Sequence, residues 1–440
     1  MRLTKSFLLL TMLLASPILL VAQKVEMVQN KPIPTELILE PWIIGSEVAV
    51  QWKGLLPTVN APTSRAKAYP GQHLTIAIGA QGKDRDKLLR EGTYDFTVEF
   101  GGATQSFKAL HPSQTRRIKA DGADFVKFVM KEAKVESGDL DEAISMVSLA
   151  LFEVDWTVPA DAKDGTAKIR GTVTSGAGKV TPLKDRTVEV WSFDRVAKDG
   201  GFKDQKESGE WMMTYYQHPE PSRLLHALRV EKDNPASTQP NAIAFNVAVL
   251  KSSPLAAQDL LQRLKGEERS IRGFALLLMS EAGYDLTAHL KTLPEDEQTR
   301  FAKSREAAAA LPDPYDLTPD SSDPYRVTTR MDMLWSLFLA TGDQKPVRAV
   351  SQPLAWREDW KVFTKLRDEY QKTGKRTNGM SIELARAAAY GASGWSLGSF
   401  YRHHPLVTDF VDVWKQDATV PKVIQEELGT LITNPAFKRQ

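Results

Sequence analysis

The chain has 440 residues, of which 42% are hydrophobic and 25% charged, with a net charge of +2 and no cysteine. Length and composition are those of a globular protein with two or three domains. The missing cysteines exclude disulfides, thiolate catalysis, cysteine-ligated zinc and a lipidated N-terminal cysteine, and a near-neutral chain without a basic cluster lacks the electrostatic footprint of nucleic-acid binding.

Arg2 and Lys5 precede an apolar run from Phe7 to Leu20, followed by Val21-Ala22-Gln23. A positive start, a short apolar stretch and a small residue predict a secretory signal over residues 1–22. The alternative is a retained anchor, but the run is short for a span and Pro17 interrupts it. Removing two positive charges takes the mature chain from +2 to about zero (+2 − 2). No later stretch approaches ~20 uninterrupted apolar residues, so no other membrane span is expected. The protein is expected outside the cytoplasm, periplasmic or secreted.

Residues 33–193 alternate with period two. In "TYDFTVEF" Tyr94, Phe96, Val98 and Phe100 share one face, and Thr93, Asp95, Thr97 and Glu99 the other. "HLTIAIG", "TAKIRGTV" and "RTVEVWSF" behave alike, with turn signals at Pro70-Gly71, Gly101-Gly102, Asp121-Gly122, Asp164-Gly165 and Gly176–Gly178. Strands buried on one face, with no long helices between them, predict an antiparallel β-sandwich. The one helical candidate here spans residues 136–144. "VDWTVPADAKDGTAKIRGTV" resembles a late hairpin of bacterial immunoglobulin-like domains, which implies an immunoglobulin-like sandwich.

Residues 194–210 are polar and glycine-containing and read as a linker. From 211 to 440 apolar residues recur at three and four, as in Met333, Leu334, Leu337 and Phe338, so the period is helical. "YYQHPEPSRLLHAL", "AVLKSSPLAAQDLLQRL" and "SFYRHHPLVTDFVDVW" share one plan: a helix end, a proline, and apolar residues at fixed offsets. Leu224, Leu225 and Leu228 follow Pro219 at five, six and nine, as Phe410, Val411 and Trp414 follow Pro405. Two further corners use Gly342-Asp343 and Gly283 with Asp285 as stop and cap. Five such corners predict an all-α domain of stacked αα-hairpins.

The chemistry-bearing candidates are few. His218, His403 and His404 sit at corners, with Tyr401 and Asp409 nearby, but the spacing matches no metal signature. His404 precedes Pro405 as Ser253 precedes Pro254, which predicts a helix-capping side chain and a neutral His404→Ser. Asp313, Asp316, Asp320 and Asp323 lie within eleven residues and could clasp calcium, yet they lack the EF-hand order, and Asp-Pro and Ser-Asp pairs also turn chains unaided. "GASGWSLGSF" contains Ser396 without G-x-S-x-G, and its glycines predict close helix packing. Trp356 and Trp360 fit a buried helix face better than a sugar platform. No cofactor-binding motif is present.

"MDMLWSLFLATGD", "YYQHPEP" and "AAYGASGWSLGSFYRHHPLV" resemble a group of exported bacterial proteins of unknown function with a helical C-terminal region. The resemblance covers about residues 210–432 and implies a helical exported protein without an assigned activity. The expected function is non-enzymatic: an envelope module that binds a protein or peptide through the helical array. The alternatives are a glycan-active hydrolase or lyase with its site among His218, Tyr401, His403, His404 and Asp409, and a sugar-binding module using Trp42 or Trp52.

Overall fold

The computed structural model describes residues 38–45, 58–60, 67–81, 91–119, 148–308, 312–320, 322–323, 325–374 and 382–437. The signal segment, the helical candidate at 136–144 and Trp52 lie outside them, and of the Trp42 side chain nothing is described.

The N-terminal part is β. Strands β1 (Ile38–Gly45), β4 (His73–Gln81), β8 (Ser148–Thr157), β7 (Gln114–Lys119) and β2 (Thr58–Asn60) form one sheet in that order. A second sheet runs β3 (Lys67–Ala68), β11 (Arg186–Val190), β9 (Gly165–Thr174), β5 (Thr93–Phe100), β6 (Ala103–Leu110), with β10 (Val180–Pro182) beside β9. Pairing is antiparallel except at β2–β7 and β3–β11. Alternation holds as expected: Tyr94, Phe96 and Val98 are buried while Thr93, Asp95 and Thr97 are only partly covered. The sheets share one apolar core, with the Phe152 ring of β8 centred 4.5 Å from Tyr94 and 5.2 Å from Phe96 of β5. Gly101 and Gly102, both at positive φ, make the β5–β6 turn, where L side chains would be strained.

Gly171 of β9 sits in this core for want of space. A Cβ there would lie 2.8 Å from the Phe96 ring, 2.9 Å from the Asp95 carbonyl and 2.9 Å from Leu183. Gly171→Ala is therefore expected to cost about 2 kcal/mol in urea unfolding, because overpacking against backbone cannot relax.

The rest is helical: α1 (Phe193–Asp199), α2 (Gln205–Thr214), α3 (Leu224–Glu231), α4 (Pro240–Ser252), α5 (Pro254–Arg263), α6 (Arg269–Glu281), α7 (Thr287–Leu290), α8 (Glu295–Ala308), α9 (Arg326–Thr341), α10 (Gln344–Ser351), α11 (Arg357–Thr373), α12 (Ile382–His403), α13 (Pro405–Trp414) and α14 (Lys422–Thr433). The stretch read as a linker thus carries two helices. Ser192 caps α1 through Arg195 N at 3.2 Å, and Asp204 caps α2 through Glu207 N at 2.9 Å. Each buries so little, Val196 in α1 and Ser208 with Trp211 in α2, that no apolar period shows in the sequence.

The corners form as their spacing predicts, with one exception. α5 and α13 start at Pro254 and Pro405, and Leu260, Leu264, Phe410, Val411 and Trp414 are buried. At the first corner the helix starts at Pro221 rather than Pro219, as a 3-10 turn running into α3. Gly342 ends α9 at φ 69° and the Asp343 carboxylate accepts from Lys345 N at 2.9 Å.

The β part is tied to this helical part. Tyr69–Gln72 forms a turn with Pro70 and positive-φ Gly71 at its centre, the type II arrangement. The Tyr69 hydroxyl bonds the Glu220 carboxylate, and Gln72 Nε2 donates to the Pro219 carbonyl at 2.9 Å. Leu255 of α5 packs on Gly71, and Leu151 of β8 belongs to the helical core.

Candidate functional site

The paired histidines come first. His403 ends α12 and His404 is the N-cap residue of α13, its carbonyl accepting from Thr408 N at 3.1 Å. The His404 side chain does not cap. It turns inward instead, 5% exposed, stacked on Phe400 with centroids 4.6 Å apart and flanked by Phe338 and Tyr216. The expectation of a capping imidazole is thereby corrected. An extended backbone before proline leaves the ring free to follow the apolar environment, and Ser253 makes no side-chain cap either.

His404 Nδ1 lies 3.3 Å from the Tyr216 hydroxyl, which accepts from Gln217 Nε2 at 3.0 Å. Tyr216 therefore donates its proton to Nδ1, and the ring is neutral. Burial pushes the His404 pKa down to about 3 and raises that of Tyr216. His403 is half-buried and also lowered, by burial and then by Arg402. The first and last corners do meet, but through Tyr216 rather than His218, which ends the turn after α2 with its N–H on the Tyr215 carbonyl at 3.0 Å. Asp409 is buried on α13, and the Tyr401 carbonyl accepts from Thr408 Oγ1 at 2.7 Å. Among the described residues no three His, Asp or Glu side chains converge as a metal would require. A neutral ring walled in by aromatic side chains offers no face to a substrate.

The aspartate loop is internally satisfied. Asp313, Asp316, Asp320 and Asp323 each accept from the backbone N–H two residues on, of Tyr315, Thr318, Ser322 and Tyr325, at 2.8–3.2 Å. These are Asx turns. Hydrogen bonding to Thr318 and then to Arg326 holds the Asp316 carboxyl well below the usual range. Arg330, 6% exposed on α9, anchors the loop: its Nη1 is 2.6 Å from the Asp316 carbonyl and 3.1 Å from its carboxylate.

A small crevice of about 10 Å3, room for little more than one water and partly open to solvent, lies between α1, α3 and α5. Ser222, His226, Asp259 and Arg263 line it, none of which the sequence singled out. The Ser222 hydroxyl is buried without a partner. His226 Nε2 donates to the Val196 carbonyl at 2.9 Å and its Nδ1 meets Arg229 at 3.3 Å, so neither nitrogen is free to serve Ser222 as a base. Arg263 clasps Asp259 at 2.8 Å and Asp194 at 2.9 Å, tying α5 to α1.

The glycines of α12 act in packing as predicted. The Trp360 ring lies over Gly391 and the Phe437 ring over Gly398, where Cβ atoms would meet them at 2.9 and 2.5 Å. Ser396 is buried and donates to the Ser393 carbonyl at 3.2 Å. On α9, burial pushes the Asp332 pKa up to about 7. The folded chain keeps this proton from pH 3.8 to about 7 while the unfolded chain has lost it, so the residue destabilises the fold increasingly across that window. Asp332→Asn is expected to stabilise by about 2 kcal/mol at pH 8, after discounting for partial exposure, and by nothing at pH 3.

What the helical part leaves open is an edge. α11 buries none of its seventeen residues. Trp360 and Phe363 lean toward α12, where Trp360 meets Tyr390 with centroids 5.6 Å apart. On the other flank Val362 is 51% exposed; Tyr370, two turns past Phe363 on nearly the same line, is 42% exposed, and Trp395, one turn past Gly391 on α12, is 41% exposed. Comparison of the chain with protein families, with curated proteins and with solved structures finds no match.

Proposed function

We propose that the protein is an exported, non-enzymatic binding or scaffold module of the envelope, periplasmic or secreted, that engages protein through the α11–α12 edge. In this reading the β part is an immunoglobulin-like sandwich, the helices are stacked αα-hairpins, and the chain is kin to the exported bacterial proteins its helical stretches resemble. The observation that carries it is the apolar flank of α11. Val362 and Tyr370 stand exposed on a helix none of whose residues is buried, an apolar surface suited to a protein partner. The hydrolase alternative draws no support from the groups described: His404 is sealed and neutral, Ser396 donates to a backbone carbonyl, Ser222 has no base beside it, and the aspartates are engaged in their own loop.

A photoreactive amino acid placed at Tyr370 in cells tests this. Irradiation of the exported fraction is expected to give a discrete protein adduct, whereas the same group at Val180, exposed on the far β part, gives none. Equal labelling at both positions, or no protein adduct at Tyr370, overturns the reading.

A further inference from the structure

The exposed flank of α11 has a symmetry that names its partner. Its seam runs Asp359, Val362, Leu366, Tyr370, Thr373, with spacings of three, four, four and three; Val362, Tyr370 and Thr373 are exposed, Asp359 and Leu366 half-buried. At 100° per residue these five lie within an arc of about 80°. The spacing reads the same in both directions from Leu366, as a stripe centred on a helix does, so the seam meets its own reverse in register, and the charges beside it favour that partner. We propose that α11 packs antiparallel against α11 of a second copy of this chain, about a two-fold axis through Leu366. This rests on the reading of the α11–α12 edge as a protein-contact surface and names what occupies it.

In that arrangement Leu366 meets Leu366 of the second copy, and Val362 meets Tyr370 in both directions, as an isologous contact requires. Charge follows the same symmetry. On the flank away from α12, Lys365 comes beside Glu369 of the other copy, and Glu358 beside Lys372, each twice. All four side chains are exposed. Two like pairs flank the axis, Lys365 and Arg367 each across from its own copy; each Lys365 also has Glu369 of the other copy beside it, and each Arg367 guanidinium already carries Asp368 at 3.2 Å. Asp359 reaches the C-terminal turn of the other helix at Thr373, where a hydroxyl can donate to it.

Seventeen residues make a contact about 25 Å long. One helix pair of that length covers less than a standard interface of about 1,600 Å2, so the dimer is expected to form in the micromolar range rather than obligately. The exported chain, followed by sedimentation velocity from about 1 to 100 µM, is expected to pass from monomer to dimer. Val362→Asp and Tyr370→Lys should each weaken association at least tenfold, with circular dichroism and melting unchanged. Mixing the two variants should recover association, because aspartate then faces lysine across the axis. The chain has no cysteine, so Leu366→Cys carries a single thiol. On mild oxidation it should form a disulfide dimer at least tenfold faster than Lys361→Cys, which lies on the opposite side of α11. A chain monomeric at 100 µM overturns the proposal, as does a dimer indifferent to both flank variants. If the chain stays monomeric while a photoreactive group at Tyr370 captures a different protein, the dimer fails and the binding reading stands; if neither copy nor other protein is captured, both fail.

Discussion

His404→Ala is expected to destabilise the protein by about 3 kcal/mol, measured by urea unfolding at pH 7. The imidazole stacks on Phe400 and fills the space between Phe338 and Tyr216, so its loss leaves a cavity lined by rigid rings and a Tyr216 hydroxyl without its acceptor. His404→Ser, neutral were the side chain a cap, is expected to cost as much. The same residue makes the fold acid-sensitive. Folded His404 stays neutral down to about pH 3, while in the unfolded chain it takes a proton near 6.5. Between those values the unfolded state binds more protons, so stability is full above pH 6.5 and falls as pH drops toward 3, by about 3 kcal/mol at pH 4. Asp332 works in the opposite sense over most of that range, losing its folded-state proton only near 7. The clean measurement is in the Asp332→Asn background. There the slope between pH 6.5 and 4 should be steep and should fall by more than half with His404→Phe, which keeps the stack and removes the titrating group, leaving the contributions of His226, His289 and His403, which burial also lowers. A slope unchanged by His404→Phe refutes the assignment.

Arg330→Ala is expected to cost about 3 kcal/mol and to release the segment 313–320. The guanidinium is buried, and one nitrogen serves both the carbonyl and the carboxylate of Asp316. Without it the carbonyl loses its donor and the aliphatic stem leaves a hole on α9. The figure is at the low end for a buried ion pair because Asp316 is a third exposed and retains Arg326 at 2.8 Å. Arg330→Lys should recover less than half, since the lysine nitrogen ends one bond short of the position of Nη1 and an ammonium is costlier to strip of water than a guanidinium. Hydrogen exchange at residues 313–320 should rise at least tenfold in the alanine variant. Millimolar calcium should leave the wild-type Tm unchanged, because a ligand bound only by the folded state must raise it; a calcium-dependent rise would show that the Asx turns give way to a cation.

Local rules were legible. The alternation of Tyr94, Phe96 and Val98, the glycine turn at 101–102, the Gly342 stop with its Asp343 cap, and the buried offsets after Pro405 all follow from preferences acting over a few residues. The helices over 193–214 were not legible, because each buries one or two residues and leaves no period to count. His226 and Ser222 gave no signal at all: the partners of His226, Val196 and Arg229, are ordinary residues, and what brings His226 to Val196 is a fold-back over thirty positions.

By itself the sequence determined the kinds of element, their caps and turns, and where apolar residues would go inward, since backbone sterics and side-chain period are properties of short stretches. It also carried the palindromic seam of α11. Only the tertiary structure decided what each side chain meets. His404 turns inward because Tyr216, 188 positions away, supplies a donor and Phe338 and Phe400 supply a wall. Asp316 is tied down because α9 brings a buried arginine beneath it. The seam of α11 matters because α12 packs on one side of that helix and leaves the other in water, and burial of this kind depends on elements far apart in the chain, whose arrangement no local preference encodes.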